Sequence, residues 1–379
     1  MKIVIVCDSF KESLSALQVA DAIEDGFREI YPDATYVKLP AADGGEGTAE
    51  SLVLATGGRM LTREVTGPLG TPVMAAFGIL GDGQTAVVEM AAAAGLMLVP
   101  RDRRDPLTAT TYGVGQLILA ALDEGCRHVI LGLGGSATND GGAGMAQALG
   151  ASLRDREEEE LAFGGAELAR LACIDLSRLD ARLAGCRVEV ACDVDNPLTG
   201  PFGASAVFGP QKGATPEMVG LLDGALAGYA RHVAAATGRE IDAVPGAGAA
   251  GGMGAAALAF LGATLRPGVE IVMEALGLDA ILSDADLVIT GEGRIDGQTV
   301  HGKAPIGVAR VARRHGRPVI GIAGSLGHDA AKVHAHGIDA VFSVVNRPCT
   351  LEEALAEAAT NVRVTARNVA ATSAIFRAS

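Results

Sequence analysis

Only six of the 31 Lys and Arg residues in this 379-residue chain are lysines, and three of those six fall in loops rich in Gly, Asp and Ser. Lys11 lies in DSFKES, Lys212 in GPQKGA and Lys303 in HGKAP. A chain that otherwise relies on Arg uses a compact ammonium at these points, as a clamp on phosphoryl or carboxylate oxygens requires. Carboxylates recur in the same kind of loop: Asp8, Asp43 and Glu46 (ADGGEG), Asp140 (TNDGG), Asp193 and Asp195 (CDVDNP), Glu292 and Asp296 (GEGRIDG). Phosphoryl transfer from a nucleotide needs Mg²⁺ held by one or two carboxylates, and a further carboxylate to receive the acceptor's proton. A single Asp-Gly is an ordinary turn. A set of them at strand ends points to a site.

The strongest single loop runs from Gly134 through Gly135, Ser136, Thr138, Asn139 and Asp140 to Gly142, between the apolar run HVILGLG and a helix expected near 145–149. Its glycines let backbone N–H groups close on a phosphate, and a helix N-terminus adds a positive field. Ser136, Thr138 and Asn139 supply further hydrogen-bonding groups. Gly246-Ala-Gly248-Ala-Ala-Gly251 fits the dinucleotide fingerprint, but it follows Val244-Pro245 instead of an apolar strand. We read it as a helix start facing phosphate or substrate. Gly297 to Lys303 has Walker A spacing, yet Ala304 stands where a Mg²⁺-binding Ser or Thr belongs. Lys303 therefore stays a candidate phosphate ligand outside a P-loop. The seven histidines form neither HExxH nor a Ser-His-Asp pattern, and His301 alone lies in a motif loop, as a minor candidate for substrate contact.

The elements that must position these groups follow from the apolar runs. IVIVC (3–7) reads as a buried strand ending at Asp8, followed by a helix near 15–30. A strand at 36–39 opens into the ADGGEG loop, and HVILGLG, ADLVITGEG, PVIGIAG and AVFSVV repeat the pattern. Apolar strands, glycine-rich loops and following helices predict an α/β fold with a parallel sheet covered on both faces. Loops at the strand C-terminal ends carry the site in such sheets. Residues 64–100 read as short hairpin-like strands, 152–160 (SLRDREEEE) as a solvated turn, and 351–373 as helical. The expected organisation is a Rossmann-like or flavodoxin-like domain from 1–65 plus 280–379, with an α/β domain, 66–279, inserted; 106–150 suits either.

Composition bounds the partners. Apolar content of 49% with 20% charged residues is globular. A net charge of −14 and 3% aromatics exclude a basic, stacking nucleic-acid surface and disfavour anionic membranes. Six cysteines without a CxxC pair read as reduced thiols. MKIVIVCDSF lacks a signal-peptide apolar region, and the uncharged stretch 243–265 is too rich in Gly and Ala to span a membrane. The expected location is cytoplasmic.

Taken together, DSFKESLSA (8–16), ADGGEGT (42–48), GGSATNDGGAGMAQALG (134–150), DVDNPLTGP (193–201), FGPQKGA (208–214), GAGAAGGMGAA (246–256) and GEGRIDGQTVHGKAPIGVA (291–309) resemble the signature segments of bacterial type-1 glycerate kinases. The likeness runs in order from Met1 to near the C-terminus. It departs locally at Val6-Cys7, where that family often has Ala-Pro. The resemblance implies a two-domain fold, a flavodoxin-like domain split by an inserted α/β domain. It also implies ATP- and Mg²⁺-dependent phosphorylation of D-glycerate at the 2-hydroxyl. The 3-hydroxyl or a related hydroxy or sugar acid stays open, as does a homodimer. On chemical grounds the 134–142 loop and Lys303 are expected to cradle ATP, and Asp43, Glu46 and Glu292 to hold Mg²⁺. Ser9, Lys11 and Lys212 are expected at the substrate carboxylate and γ-phosphate. Asp193 is expected to accept the hydroxyl proton, with Asp296 and Asp8 as alternates.

Overall fold

The computed structural model describes residues Met1–Arg377. The chain divides into two units: Met1–Asp43, Leu54–Thr56 and Val269–Ser379 form the first, and Gly44–Val53 with Gly57–Gly268 the second. The strands of the two main sheets are β1 (Lys2–Cys7), β2 (Thr35–Pro40), β3 (Arg59–Thr66), β4 (Pro72–Ile79), β5 (Thr85–Glu89), β6 (His128–Gly132), β7 (Arg187–Ala191), β8 (Thr264–Arg266), β9 (Leu287–Gly291), β10 (Val319–Ala323) and β11 (Ala340–Ser343). The helices that matter below are α1 (Ala16–Arg28), α2 (Thr48–Thr56), α3 (Tyr112–Asp123), α4 (Ala143–Ala148), α5 (Pro216–Thr237), α6 (Ala249–Phe260), α7 (Ala304–Arg314) and α8 (Ala358–Arg377).

The first unit is a five-stranded parallel sheet in the order β11-β10-β9-β1-β2. Counting only its own strands this is 2-1-3-4-5, the flavodoxin-like order, whose strand sequence reverses between β1 and β9. Ile3, Val4, Ile5 and Val6 are fully buried, as a central strand covered on both faces demands. Each such side chain contributes about 1.5–3 kcal/mol on leaving water. α1 begins where Ser15 and Gln18 form a reciprocal capping box, and it buries Val19, Ala20, Ile23 and Phe27. Gly26 lets α1 approach α8 closely: a Cβ there would lie 2.3 Å from the Arg363 carbonyl oxygen.

The second unit is a six-stranded mixed sheet, β8-β7-β6-β5-β4-β3. β5 to β8 run parallel, while β3 and β4 add an antiparallel hairpin. That hairpin accounts for the turn-rich style of 64–100, although its first strand starts at Arg59. Pairing of β3 with β4 is also why 57–66 groups with the second unit, and the segment 106–150 groups with it too. A core built from Phe77, Leu117, Ile118, Leu131, Val190 and Tyr229 sits around this sheet. The run 152–160, expected as a solvated turn, is one only in its second half. Ser152–Arg154 is a short strand paired with Cys173–Asp175 that buries Leu153. The exposed residues 156–160 wrap around a buried carboxylate, Asp155, which accepts from the amides of Glu157 and Glu159 and pairs with Arg170. Among the described residues no helix is long and apolar enough to cross a membrane.

Candidate active site

In the first unit the sequence-derived groups gather at the C-terminal ends of β1 and β9, where the strand order reverses. Asp8 follows β1, and its amide donates to the Gly291 carbonyl at 2.9 Å. Its Oδ1 accepts from the Ser9 amide at 2.6 Å and the Ser9 hydroxyl at 3.2 Å. Burial pushes the Asp8 carboxyl upward and the nearby Asp43 charge adds to this, while the Ser9 hydrogen bonds and Lys11 oppose it. Lys11 is exposed on the tight Phe10–Leu14 turn, against which the backbone of Gly293 packs.

Glu292 follows β9 and is only 6% exposed. Its Oε1 accepts from the Thr299 hydroxyl at 2.6 Å and its Oε2 from Lys303 Nζ at 2.8 Å. Burial raises this carboxyl, Lys303 and Thr299 pull it back, and the charge on Asp8 raises it again. Lys303 sits at the N-cap of α7, just before the helix-starting Ala304-Pro305. Asp296 shapes the turn that delivers Thr299: its Oδ1 accepts from the Gln298 amide, its Oδ2 meets Arg294, and its amide donates to the Thr299 hydroxyl. Asp8 is thus coupled electrostatically to both Asp43 and Glu292.

In the second unit the loop after β6 divides into two parts. Gly134 and Gly135 are exposed, whereas Ser136 through Gly142 are buried. Asp140 is 1% exposed and accepts from the Thr111 amide and hydroxyl, both at 2.8 Å, and from the Gly142 and Gly144 amides. Burial raises its carboxyl, and these donors counter the rise only in part. The group expected beside ATP therefore ties the loop to the start of α3. Asn139 donates to Ser205 Oγ at 2.9 Å inside the core. Lys212, expected at substrate, is 1% exposed and donates to Ser136 Oγ at 2.8 Å and to the Thr138 carbonyl at 2.6 Å. Burial brings its ammonium down to about 7, against the pull of Asp140. It grips the loop from within.

The glycine tract 246–251 also serves this loop. A Cβ on Gly251 would lie 2.1 Å from the Thr138 carbonyl oxygen, and Gly251 accepts from the Gly141 amide at 2.9 Å. The expected substrate-facing helix start is thus a backbone-on-backbone contact that only glycine permits at φ +73°.

The exposed glycines have close company at the strand ends. A Cβ on Gly132 would meet the Gly44 carbonyl oxygen at 3.3 Å, and one on Gly134 would lie 3.8 Å from Gly45 Cα. Exposed Asp193, after β7, accepts from the Gly268 amide at 3.0 Å, and Gly44 packs on Gly268. Glu46 is exposed on the same turn and near Glu89. Sequence reasoning missed Glu89, Thr299 and Thr111. Only Glu89 left a signal, as the carboxylate closing the apolar run TAVVE.

Each unit by itself carries groups of a kind that phosphoryl transfer uses: exposed glycine backbones after β6 in the second, and the Lys303–Glu292 pair with Asp8 and Asp43 in the first. The model of the glycerate kinase family matches residues 3–374. The chain belongs to the glycerate kinase family. A protein of Escherichia coli K12 named glycerate 2-kinase is 59% identical over 99% of this chain and 98% of its own length. A glycerate kinase of Bacillus subtilis 168 is 58% identical over 98% and 97%. A crystal structure from Salmonella typhimurium LT2 that bears the name glycerate kinase 2 superposes with a TM-score of 0.92 at 62% identity, covering 100% of this chain and 99% of that one. As a member of the glycerate kinase family, the chain is an enzyme of that kind.

The donor chemistry also suits Mg²⁺. Among the described residues no group of three or more His, Cys, Asp or Glu is placed to hold a metal. Mg²⁺ asks for less: one or two carboxylates, with waters and substrate phosphates completing its shell. Asp8 and Asp43, two coupled oxygen donors of which Asp8 pays for its charge through burial, fit that demand. Glu292 has both oxygens engaged by Thr299 and Lys303.

Proposed function

We propose that this chain transfers the γ-phosphoryl group of ATP to the 2-hydroxyl of D-glycerate, giving 2-phospho-D-glycerate and ADP. The observation that carries this reading is the coupled set Asp8, Asp43, Glu292 and Lys303 at the switch point of the parallel sheet. The likeness to a protein named glycerate 2-kinase supports the choice of position.

In the first unit, Asp8 and Asp43 would hold Mg²⁺, which neutralises phosphate charge when bound. Lys303, aimed by Glu292, stabilises the charge on the transferred phosphoryl oxygens. Lys11, exposed beside Asp8, and the Ser9 hydroxyl take the glycerate carboxylate. In the second unit the amides of Gly134 and Gly135 line ATP phosphates, with Lys212 and Asp140 holding the loop in shape. The attacking hydroxyl oxygen bonds to the γ-phosphorus as the bond to the bridging oxygen of ADP breaks. The hydroxyl proton passes to the Asp193 carboxylate, which the Gly268 amide orients. Asp193→Asn should therefore lower kcat by about 10²–10⁴-fold. A near-normal kcat would overturn that assignment.

The deciding experiment is ³¹P NMR of the protein with ATP, Mg²⁺ and D-glycerate, with L-lactate as the control acid. The expected result is a phosphomonoester signal matching 2-phosphoglycerate, absent with lactate. A 3-phosphoglycerate signal would overturn the position, and intact ATP the substrate.

A further inference from the structure

The helix α2 starts without a cap of its own. Its N-cap is Gly47, at φ 84°, so no side chain is available to accept from the first amides. The acceptor comes instead from another element: Glu89, the last residue of β5, takes the Ala49 amide on Oε1 at 2.8 Å and the Gly47 amide on Oε2 at 3.3 Å. A carboxylate at a helix N-terminus is favoured by the helix dipole as well as by the hydrogen bonds. One consequence is immediate. The Gly47 and Ala49 amides at the start of α2 are filled from within and are not open to a phosphate.

The same carboxylate determines where the preceding turn lies. Gly44 and Gly45 run close by Gly132 and Gly134, where an added Cβ would lie 3.3 Å from the Gly44 carbonyl oxygen and 3.8 Å from Gly45 Cα, and a Cβ on Gly44 would lie 2.6 Å from Gly268 Cα. Thr48 Oγ1 closes the turn on the Gly45 carbonyl at 2.7 Å. Glu89 opposes Gly132 in the parallel register of β5 and β6, so it stands beside the strand end from which the glycine loop departs. We propose that Glu89 is a positioning residue of this enzyme: its carboxylate fastens the Gly44–Ala49 turn, which carries Glu46, next to the exposed Gly134–Gly135 backbone and the Asp193-bearing Gly268. Maintaining that arrangement has an electrostatic cost, because burial and the charge of Glu46 both push the Glu89 carboxyl upward, against the three amides of residues 47–49. Such a cost is of the kind accepted where alignment matters, since a small misplacement of reacting groups lowers rate more than it lowers binding.

The inference rests on the kinase reading, and its test separates the two. Glu89→Gln and Glu89→Ala are made in the full chain. Three things are measured: amide hydrogen exchange of the 44–53 segment by mass spectrometry, melting temperature, and kcat and KM for ATP and D-glycerate. Gln keeps one acceptor, so the expected ranking is wild type, then Gln, then Ala, both in protection of 44–53 and in kcat. Glu89→Ala should lose kcat by about 10–100-fold while KM values move by less than about threefold. A merely structural contribution would lower melting temperature without changing the kcat-to-KM split of the folded enzyme. Either variant retaining kcat within about twofold while 44–53 exchanges faster would overturn the proposal, as would a loss of kcat with unchanged exchange. A wild-type chain inactive on glycerate would defeat the function reading alone, because the exchange arm is read without substrate.

Discussion

Lys212 and Lys303 carry the same sequence signal, a lysine in a glycine-rich loop, yet the two units use them oppositely. Lys303 keeps 31% of its side chain exposed and rests against the carboxylate of Glu292. Lys212 is buried, with a hydroxyl and a carbonyl as hydrogen-bond partners, and its affinity for the proton falls accordingly. An ammonium near solvent with a carboxylate to aim it is available to an incoming phosphate. An ammonium sealed in the core is spent on the loop that holds it. What separates the two is burial, which acts on charge far more strongly than on loop composition.

This contrast can be broken in two ways. The larger effect is expected at Lys303. Lys303→Gln leaves a donor facing Glu292, so stability should fall by only about 1–2 kcal/mol, whereas kcat/KM should fall by about 10²–10³-fold. Urea melts and initial rates on the same preparation check this; retained activity in a destabilised protein would make Lys303 the structural lysine.

The smaller effect is a pH slope assigned to Lys212. The unfolded chain holds this proton up to about its ordinary 10.5, whereas the folded chain releases it near 7. Between those values the unfolded state binds more protons, so stability rises with pH; below about 7 both states hold the proton and the slope vanishes. Urea midpoints of wild type and Lys212→Met should therefore diverge in slope between about pH 7 and 9.5, with the wild type gaining more as pH rises. Equal slopes would mean that Lys212 stays charged, with water reaching it.

Much of this was legible from residue order. The apolar run 3–7 that stops at Asp8, and ADLVIT that stops before GEGR, announced two strands with acids at their ends; these are β1 and β9, and that they pair in parallel came from the structure. What could not be read is which acid faces solvent. Asp140 and Asp193 both follow strands in Gly- or Pro-rich loops, yet one accepts four hydrogen bonds in the core and the other lies exposed. Their partners, Thr111 and Gly268, are 29 and 75 residues away in the chain. Glu89 escaped notice for the same reason: its role depends on amides 40 residues earlier.

The sequence by itself determined the local features: buried strands from continuous apolar runs, helix starts from Ser15 and Gln18, and glycines where backbones turn. These depend on residues a few positions apart, and hydrophobic period and capping chemistry specify them directly. The tertiary structure alone decided the division of labour among the polar groups. It brought Asp8 beside Asp43 and Glu292, filled the start of α2 with Glu89, and buried Lys212 under its loop. The charge state and reach of each group depend on how much water it retains and which distant dipoles face it, and no stretch of chain carries that information alone.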